Sequence, residues 1–302
     1  YYSITNGLVN NSISSSQYYN VGAKANTINS NEVIQPSSSI AELPTTDMKN
    51  ENSFVLIVGN EDYTNFQTNL RKEQNVDFAL NDARYFKELC TKTLGIPFEN
   101  IIYLENAGFV KMKQAISQLN LISKHSSGKA NLIFYYAGHG LPDELTKIPY
   151  IIPVDVSGSS LEYAISLPSL YKSLTEYPTN KVIVLLDACF TGEGRNLGLI
   201  SSRGVKVKPK QEIISGDNLV VFCSSTSEQA SLPYKDKQHG MFTYFLINKY
   251  VENKGDVNLG ELEDYLYSKV SMTSILLNKT EQVPAIFFSP NISENWKKWK
   301  LK

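Results

Sequence analysis

Lys181 to Gly194 reads KVIVLLDACFTGEG, and this stretch decides the fold. Val182 to Leu186 is wholly apolar and rich in β-branched residues, the pattern of a strand buried on both faces of a parallel sheet. The run stops at Asp187-Ala188-Cys189 and passes into a turn bearing Gly192 and Gly194. In open parallel sheets ligands collect at the carboxyl ends of the strands, so Cys189 is a thiol set where a substrate would lie. Fifty residues upstream, Asn131 to Tyr136 (NLIFYY) is a second such strand, and it runs into Ala137-Gly138-His139-Gly140. One strand end carrying His and another carrying Cys are the minimum equipment for a Cys–His nucleophile pair.

Working outward, the same alternation continues. Phe54 to Gly59 (FVLIVG) is a buried strand. Val76 to Cys90 has apolar residues at 76, 79, 80, 83, 86 and 90, the spacing of an amphipathic helix. Ile101 to Leu104 is a short strand, and Met112, Ala115, Ile116 and Leu119 mark the next helical face. Strands are predicted at Tyr150 to Val154, Leu219 to Cys223 and Ala285 to Phe288. Helices are predicted at Leu167 to Leu174, at Phe242 to Val251, and after Asn258, whose capping partner is Glu261. Such an order gives an α/β fold, a mainly parallel sheet with helices on both faces.

Three stretches stand outside this pattern. Residues 1–52 are rich in Ser, Asn and Thr and contain no Arg, which reads as an irregular N-terminal segment, a linker or a prosegment. Residues 192–216 form a long loop that mixes glycines with basic residues, and long loops inside compact domains are usually functional. Residues 291–302 form a basic, Trp-bearing tail expected to dock on the surface.

Bulk composition excludes several functions. The 302 residues carry a net charge of −1, so no polyanion-binding face and no nucleic-acid partner are implied. No apolar run reaches the roughly 18–20 residues that span a bilayer, so a soluble chain with no membrane span is expected, its compartment left open. The chain opens on Tyr1-Tyr2 without Met, which reads as a mature or trimmed form and makes the missing signal peptide uninformative. Three cysteines, Cys90, Cys189 and Cys223, are too few for a disulfide framework and suit a reducing compartment. No further Cys or His stands at ligand spacing, so neither a metal nor any other cofactor is expected.

A thiol needs a lowered pKa or a neighbouring base to attack a carbonyl carbon, and His can take its proton and later protonate a leaving amine. The backbone N–H groups of Gly140 and Cys189 are the natural oxyanion donors. Each residue has a bland twin: His139 as a loop histidine, Cys189 as a small buried hydrophobe. Both sit at Gly-flanked strand ends, and that coincidence favours the pair. Cys90 and Cys223 read as core, His125 as a solvated loop residue, and His239 as structural or cleft-lining. No third member of a triad is evident.

The segments FVLIVGNEDY, VDFALNDARYF, FYYAGHG, YIIPVD, VLLDACFTG, VFCSSTSEQAS and HGMFTYFLI resemble, in order, the caspase-like (clan CD, C14) cysteine peptidases, within them the metacaspase and bacterial caspase-like branch. The resemblance covers Phe54 to Phe288 and implies a caspase-like three-layer αβα sandwich with a sheet of about six strands. It divides residues 53–290 into a p20-like part to about 195 and a p10-like part over 217–290. It makes His139 the general base and Cys189 the nucleophile of a dyad that forms an acyl-enzyme. Caspases carry Gln two residues before the nucleophile, whereas Asp187 stands here. With Asp82 of Asn81-Asp82-Ala83 it matches the acidic pair that selects Arg or Lys in metacaspases. Ala137 and Ser225 complete that expected first pocket (S1), although Ala137 replaces a frequent Ser.

The expected partners are therefore proteins or peptides with Arg or Lys at the cleavage site; the oligomeric state stays open. Of the calcium-binding Asp cluster of some metacaspases only Asp155 has a counterpart, so calcium-independent activity is expected. Arg203, Lys206, Lys208 and Lys210, with Lys24 and Lys49 nearer the N-terminus, are candidate self-cleavage sites of a zymogen. Two alternatives remain: a catalytically silent caspase-fold scaffold or interaction module, and a Cys-dependent hydrolase or transferase acting on a non-peptide carbonyl.

Overall fold

The structure, a computed structural model, describes residues 42–302 apart from 69, 191–213, 215, 227 and 228 and the side chain of Glu73. The described residues fall in one compact unit, Ser38–Lys302. The chain runs through Ser53–Gly59 (β1), Ala79–Glu88 (α1), Ile101–Glu105 (β2), Phe109–His125 (α2) and Asn131–Ala137 (β3). A side excursion follows: Gly140–Pro142 (β4), Pro149–Ile151 (β5), Ile165–Ser166 (β6) and Leu167–Leu174 (α3). The chain returns through Lys181–Asp187 (β7) and Leu219–Cys223 (β8), then Pro233–Tyr234 (β9) and His239–Gly240 (β10). Met241–Glu252 (α4), Leu259–Asn278 (α5) and Ala285–Phe288 (β11) complete it.

The central sheet has the order β11-β8-β7-β3-β1-β2. Five strands are parallel, and β11 lies antiparallel on the edge against β8. Every residue of β3, β7 and β8 is buried, which is why these segments read as unbroken apolar runs. Their side chains alternate between two cores. Ile133, Tyr135, Ile183, Leu185, Val220 and Phe222 face one core with α1, α4 and α5. Leu132, Phe134, Val182, Val184 and Leu186 face the other with α2 and α3. The result is the three-layer sandwich expected from the sequence.

Three details depart from the sequence reading. The helix predicted from Val76 begins at Ala79, because Phe78 takes a left-handed conformation (φ 70°) that interrupts helical geometry, and residues Leu89–Thr93 close it in a π turn. The strand predicted over Tyr150 to Val154 stops at Ile151 ahead of Pro153 and belongs to a small antiparallel sheet with β4 and β6. The tail is core, not a surface attachment. Trp296 is 1 % exposed and packs edge-on against Phe222, and Leu301 is fully buried. Lys181 Nζ, at the start of β7, donates to the carbonyls of Lys300 and Lys302 and holds the tail there.

Candidate functional site

The site is built where β1, β3 and β7 end. Ala137 pairs with Asp187 in register, and Gly138 N–H donates to the Asp187 carbonyl at 3.4 Å. The two functional loops then press together. A Cβ on Gly140 would lie 2.8 Å from the Cys189 carbonyl and 2.6 Å from the Phe190 ring. Only glycine allows that approach. The structure thus brings the loops of His139 and Cys189 into one junction.

His139 is clamped by tyrosines that the sequence reading did not single out. Its N–H donates to the Tyr63 hydroxyl at 3.0 Å, and its carbonyl accepts from the Tyr136 hydroxyl at 2.7 Å. The Tyr63 ring also meets the imidazole edge-on, 4.6 Å between centroids. Both tyrosines are fully buried, and burial pushes both phenols above their ordinary pKa, so they stay neutral hydrogen-bonding groups.

The ring of His139 meets a backbone atom. His139 Nε2 lies 2.6 Å from the Gln74 carbonyl. A carbonyl can only accept, so Nε2 carries the proton and Nδ1 is left as the basic nitrogen. The loop after β1 is stapled to deliver that carbonyl. Asn75 Oδ1 accepts from the N–H groups of Tyr63 and Thr64 at 2.9 and 3.1 Å, and Val76 N–H donates to the Glu61 carbonyl at 2.9 Å. No side-chain identity at 74 signals this role. The turn around Asn75 is the only sequence hint.

Cys189 is 3 % exposed, and its Sγ lies 3.7 Å from the Gln229 carbonyl, within reach of a weak S–H bond. The Ser225 hydroxyl donates to the same carbonyl at 3.0 Å. Gln229 is anchored in turn by its side chain, whose Oε1 accepts from Val283 N–H at 2.7 Å and whose Nε2 donates to Glu281 at 3.0 Å.

Asp82 and Asp187 are fully buried, so Asp82 is not a surface helix residue. Both carboxylates converge on the first turn of α4. Asp82 Oδ1 pairs with His239 Nδ1 at 2.8 Å, and both its oxygens accept from Gly240 N–H, at 3.1 and 3.0 Å. Asp187 accepts from the Ser231 hydroxyl at 2.6 Å and from the hydroxyl and N–H of Thr243 at 2.6 and 3.2 Å. The N-terminal turn of α4 thus supplies backbone donors to both carboxylates. Ala137 is buried between its two strand partners.

The remaining expectations sort quickly. Cys90 is buried, with its thiol pushed far up by burial, and Cys223 is buried in β8. His125 is exposed at the end of α2. Asp155 accepts from Phe109 N–H at 2.9 Å, capping α2 where Gly108 has no side chain to do so. Lys49 is exposed; Lys24, Arg203, Lys206, Lys208 and Lys210 lie outside the described residues. Among the described residues no helix is long and apolar enough to cross a membrane.

The family model for the caspase domain of the C14 peptidases matches residues 52–293. No curated protein matches the chain. Among solved structures, a Geobacter sulfurreducens protein superposes with a TM-score of 0.59 at 14% identity, covering 82% of this chain and 97% of its own. Caspase-1 from Spodoptera frugiperda superposes with a TM-score of 0.53, also at 14% identity, covering 84% of this chain and 91% of its own. The likeness to these structures is one of fold. The family match spans most of the sequence, and the chain therefore belongs to the caspase-domain family of C14 peptidases, which implies a cysteine peptidase acting on protein substrates.

Proposed function

We propose that the chain is an endopeptidase that hydrolyses peptide bonds after Arg or Lys through an acyl-enzyme on Cys189. The observation that carries the reading is the junction of the His139 and Cys189 loops, with His139 Nε2 committed to the Gln74 carbonyl. Nδ1 takes the thiol proton as Sγ attacks the scissile carbonyl carbon. The oxyanion that forms is met by the N–H groups of Gly140 and Cys189, a contribution of about 3 kcal/mol per donor in comparable sites. Collapse breaks the C–N bond, and the imidazolium protonates the departing amine. Water then attacks the thioester, His139 takes its proton, and the thiol is regenerated with release of the acid.

Asp82 and Asp187 supply the preference for a basic side chain. Two carboxylates in one buried site reject an acidic side chain and favour a guanidinium or ammonium. Ala137 and Ser225 line the same pocket. Turnover needs no calcium, because the one carboxylate at a calcium-ligand position, Asp155, is spent on the end of α2. The basic residues Arg203, Lys206, Lys208 and Lys210, with Lys24 and Lys49, are substrates for the enzyme's own pocket, which would make the chain self-processing.

A second reading, a silent scaffold of the same fold, draws support from the burial of Cys189 and its contact with the Gln229 carbonyl. Hydrolysis of matched fluorogenic peptides ending in Arg, Lys or Asp, with and without chelator, separates the two. The expected result is cleavage after Arg and Lys that survives chelation. Cys189→Ala should abolish it, and His139→Ala should lower kcat by about 10²–10⁴. Cleavage after Asp would overturn the roles of Asp82 and Asp187, and silence towards every peptide together with an unreactive Cys189 would favour the scaffold.

A further inference from the structure

His239 is a buried titratable residue that the proposed reaction does not use, 2 % exposed in the short strand β10. Its surroundings define the orientation of its ring. On one side Nδ1 lies 2.8 Å from Asp82 Oδ1; on the other Nε2 lies 3.3 Å from Asn81 Nδ2. The Asn81 amide cannot be turned round, because its Nδ2 also donates to the Gln238 carbonyl at 2.8 Å and its Oδ1 accepts from the Arg84 guanidinium. Asn81 therefore presents a donor to Nε2, which must accept. A neutral imidazole has one donor and one acceptor, so the hydrogen sits on Nδ1 and is given to Asp82. Tyr85 closes the imidazole edge-on at 4.9 Å between centroids, and pairing of His239 with Tyr234 fixes the backbone.

The consequence lies in geometry: a ring fixed on both sides holds the carboxylate it touches in one orientation. We propose that His239 is a positioning residue for substrate specificity: through Nδ1, with Asn81 fixing the other side of its ring, it holds Asp82 in the one rotamer that the basic pocket requires. This rests on the reading of Asp82 as part of the basic pocket. His239 touches neither the scissile bond nor the thiol in this scheme and acts through Asp82 alone.

The test compares the 302-residue wild type, Asp82→Asn, His239→Leu, the double variant and His239→Asn on peptides differing only in arginine against its uncharged isostere citrulline. His239→Leu should lower the arginine-over-citrulline ratio about tenfold, the scale of losing one hydrogen bond to a charged group, through KM and not kcat. Asp82→Asn should do the same, the double variant should lose little more, and His239→Asn, whose amide N–H replaces Nδ1–H, should recover most of the ratio. Iodoacetamide labelling of Cys189 should hold within twofold throughout, which a general loss of fold would not permit. A wild-type ratio in His239→Leu, or an equal fall in kcat on both peptides, overturns the inference and leaves the pocket standing if Asp82→Asn still lowers the ratio. A wild-type ratio in Asp82→Asn removes the pocket and the inference together. Should His239→Leu fail to fold, Asn81→Leu removes the other fixing contact from outside the core, and an unchanged ratio there counts against the proposal.

Discussion

A histidine whose N–H and carbonyl are both bonded to buried phenols, and whose ring is bonded to a fixed carbonyl, has little freedom left. That constraint is local and can be removed one atom at a time. Tyr63→Phe deletes the hydroxyl that accepts His139 N–H and leaves that donor buried without it, at a cost of about 1–3 kcal/mol. We expect thermal unfolding at lower temperature and a fall in kcat larger than in Tyr103→Phe, whose hydroxyl bonds only to Glu105 at the exposed edge of the sheet. That the loops of His139 and Cys189 would meet was legible in the sequence, because both leave apolar runs through glycine-bearing turns. Gln74 was not, since a backbone carbonyl leaves no trace in residue identity, and Tyr63 was hidden in a loop whose fold depends on Asn75.

At the scale of elements, local chemistry was legible wherever the partner lies within one turn. Asn258 Oδ1 accepts from Glu261 N–H at 2.9 Å, and Glu261 returns the bond to Asn258 N–H at 3.0 Å, the reciprocal cap read from the sequence. Asn258→Ala should destabilise the protein by about 1 kcal/mol, and a melting curve should show Tm lower by about 2–4 °C for a domain of this size. Elements shaped by distant partners were harder to read. The start of α1 is set by Phe78 in a left-handed conformation, and the close packing of α1 on the end of β1, where a Cβ on Gly59 would lie 2.7 Å from that of Ala83, has no local signature.

For the whole molecule, the parallel strand order was legible in the unbroken apolar runs, but the closing of the fold by its own tail was not. Trp296 packs on Phe288 close by in sequence, but it also finds Phe222 across more of the chain than any periodicity spans. The tail also leaves a pH signature. Burial pushes the Lys181 ammonium down from 10.5 to about 8, so between those values the unfolded chain binds more protons than the folded one. The contribution of Lys181 to stability is thus fully present above about pH 10.5 and lost as pH falls through about 8. Denaturant titrations from pH 7 to 10.5 should show the wild type gaining stability relative to Lys181→Met as pH rises. A flat difference would mean that the tail carbonyls hold the ammonium charged throughout.

The excursion from β4 to α3 leaves the central sheet after β3 and rejoins it at β7, its immediate neighbour. Since Ala137 is fixed opposite Asp187 by the ladder itself, the distance between the histidine and the cysteine is measured across two strands and not along the chain between them. Chain length in that excursion is therefore decoupled from reactivity. A lineage can lengthen the turn at Glu144 to Lys147, or graft a recognition hairpin there, without recalibrating the reaction centre, whereas one residue gained or lost inside β7 would turn Cys189 to the opposite face.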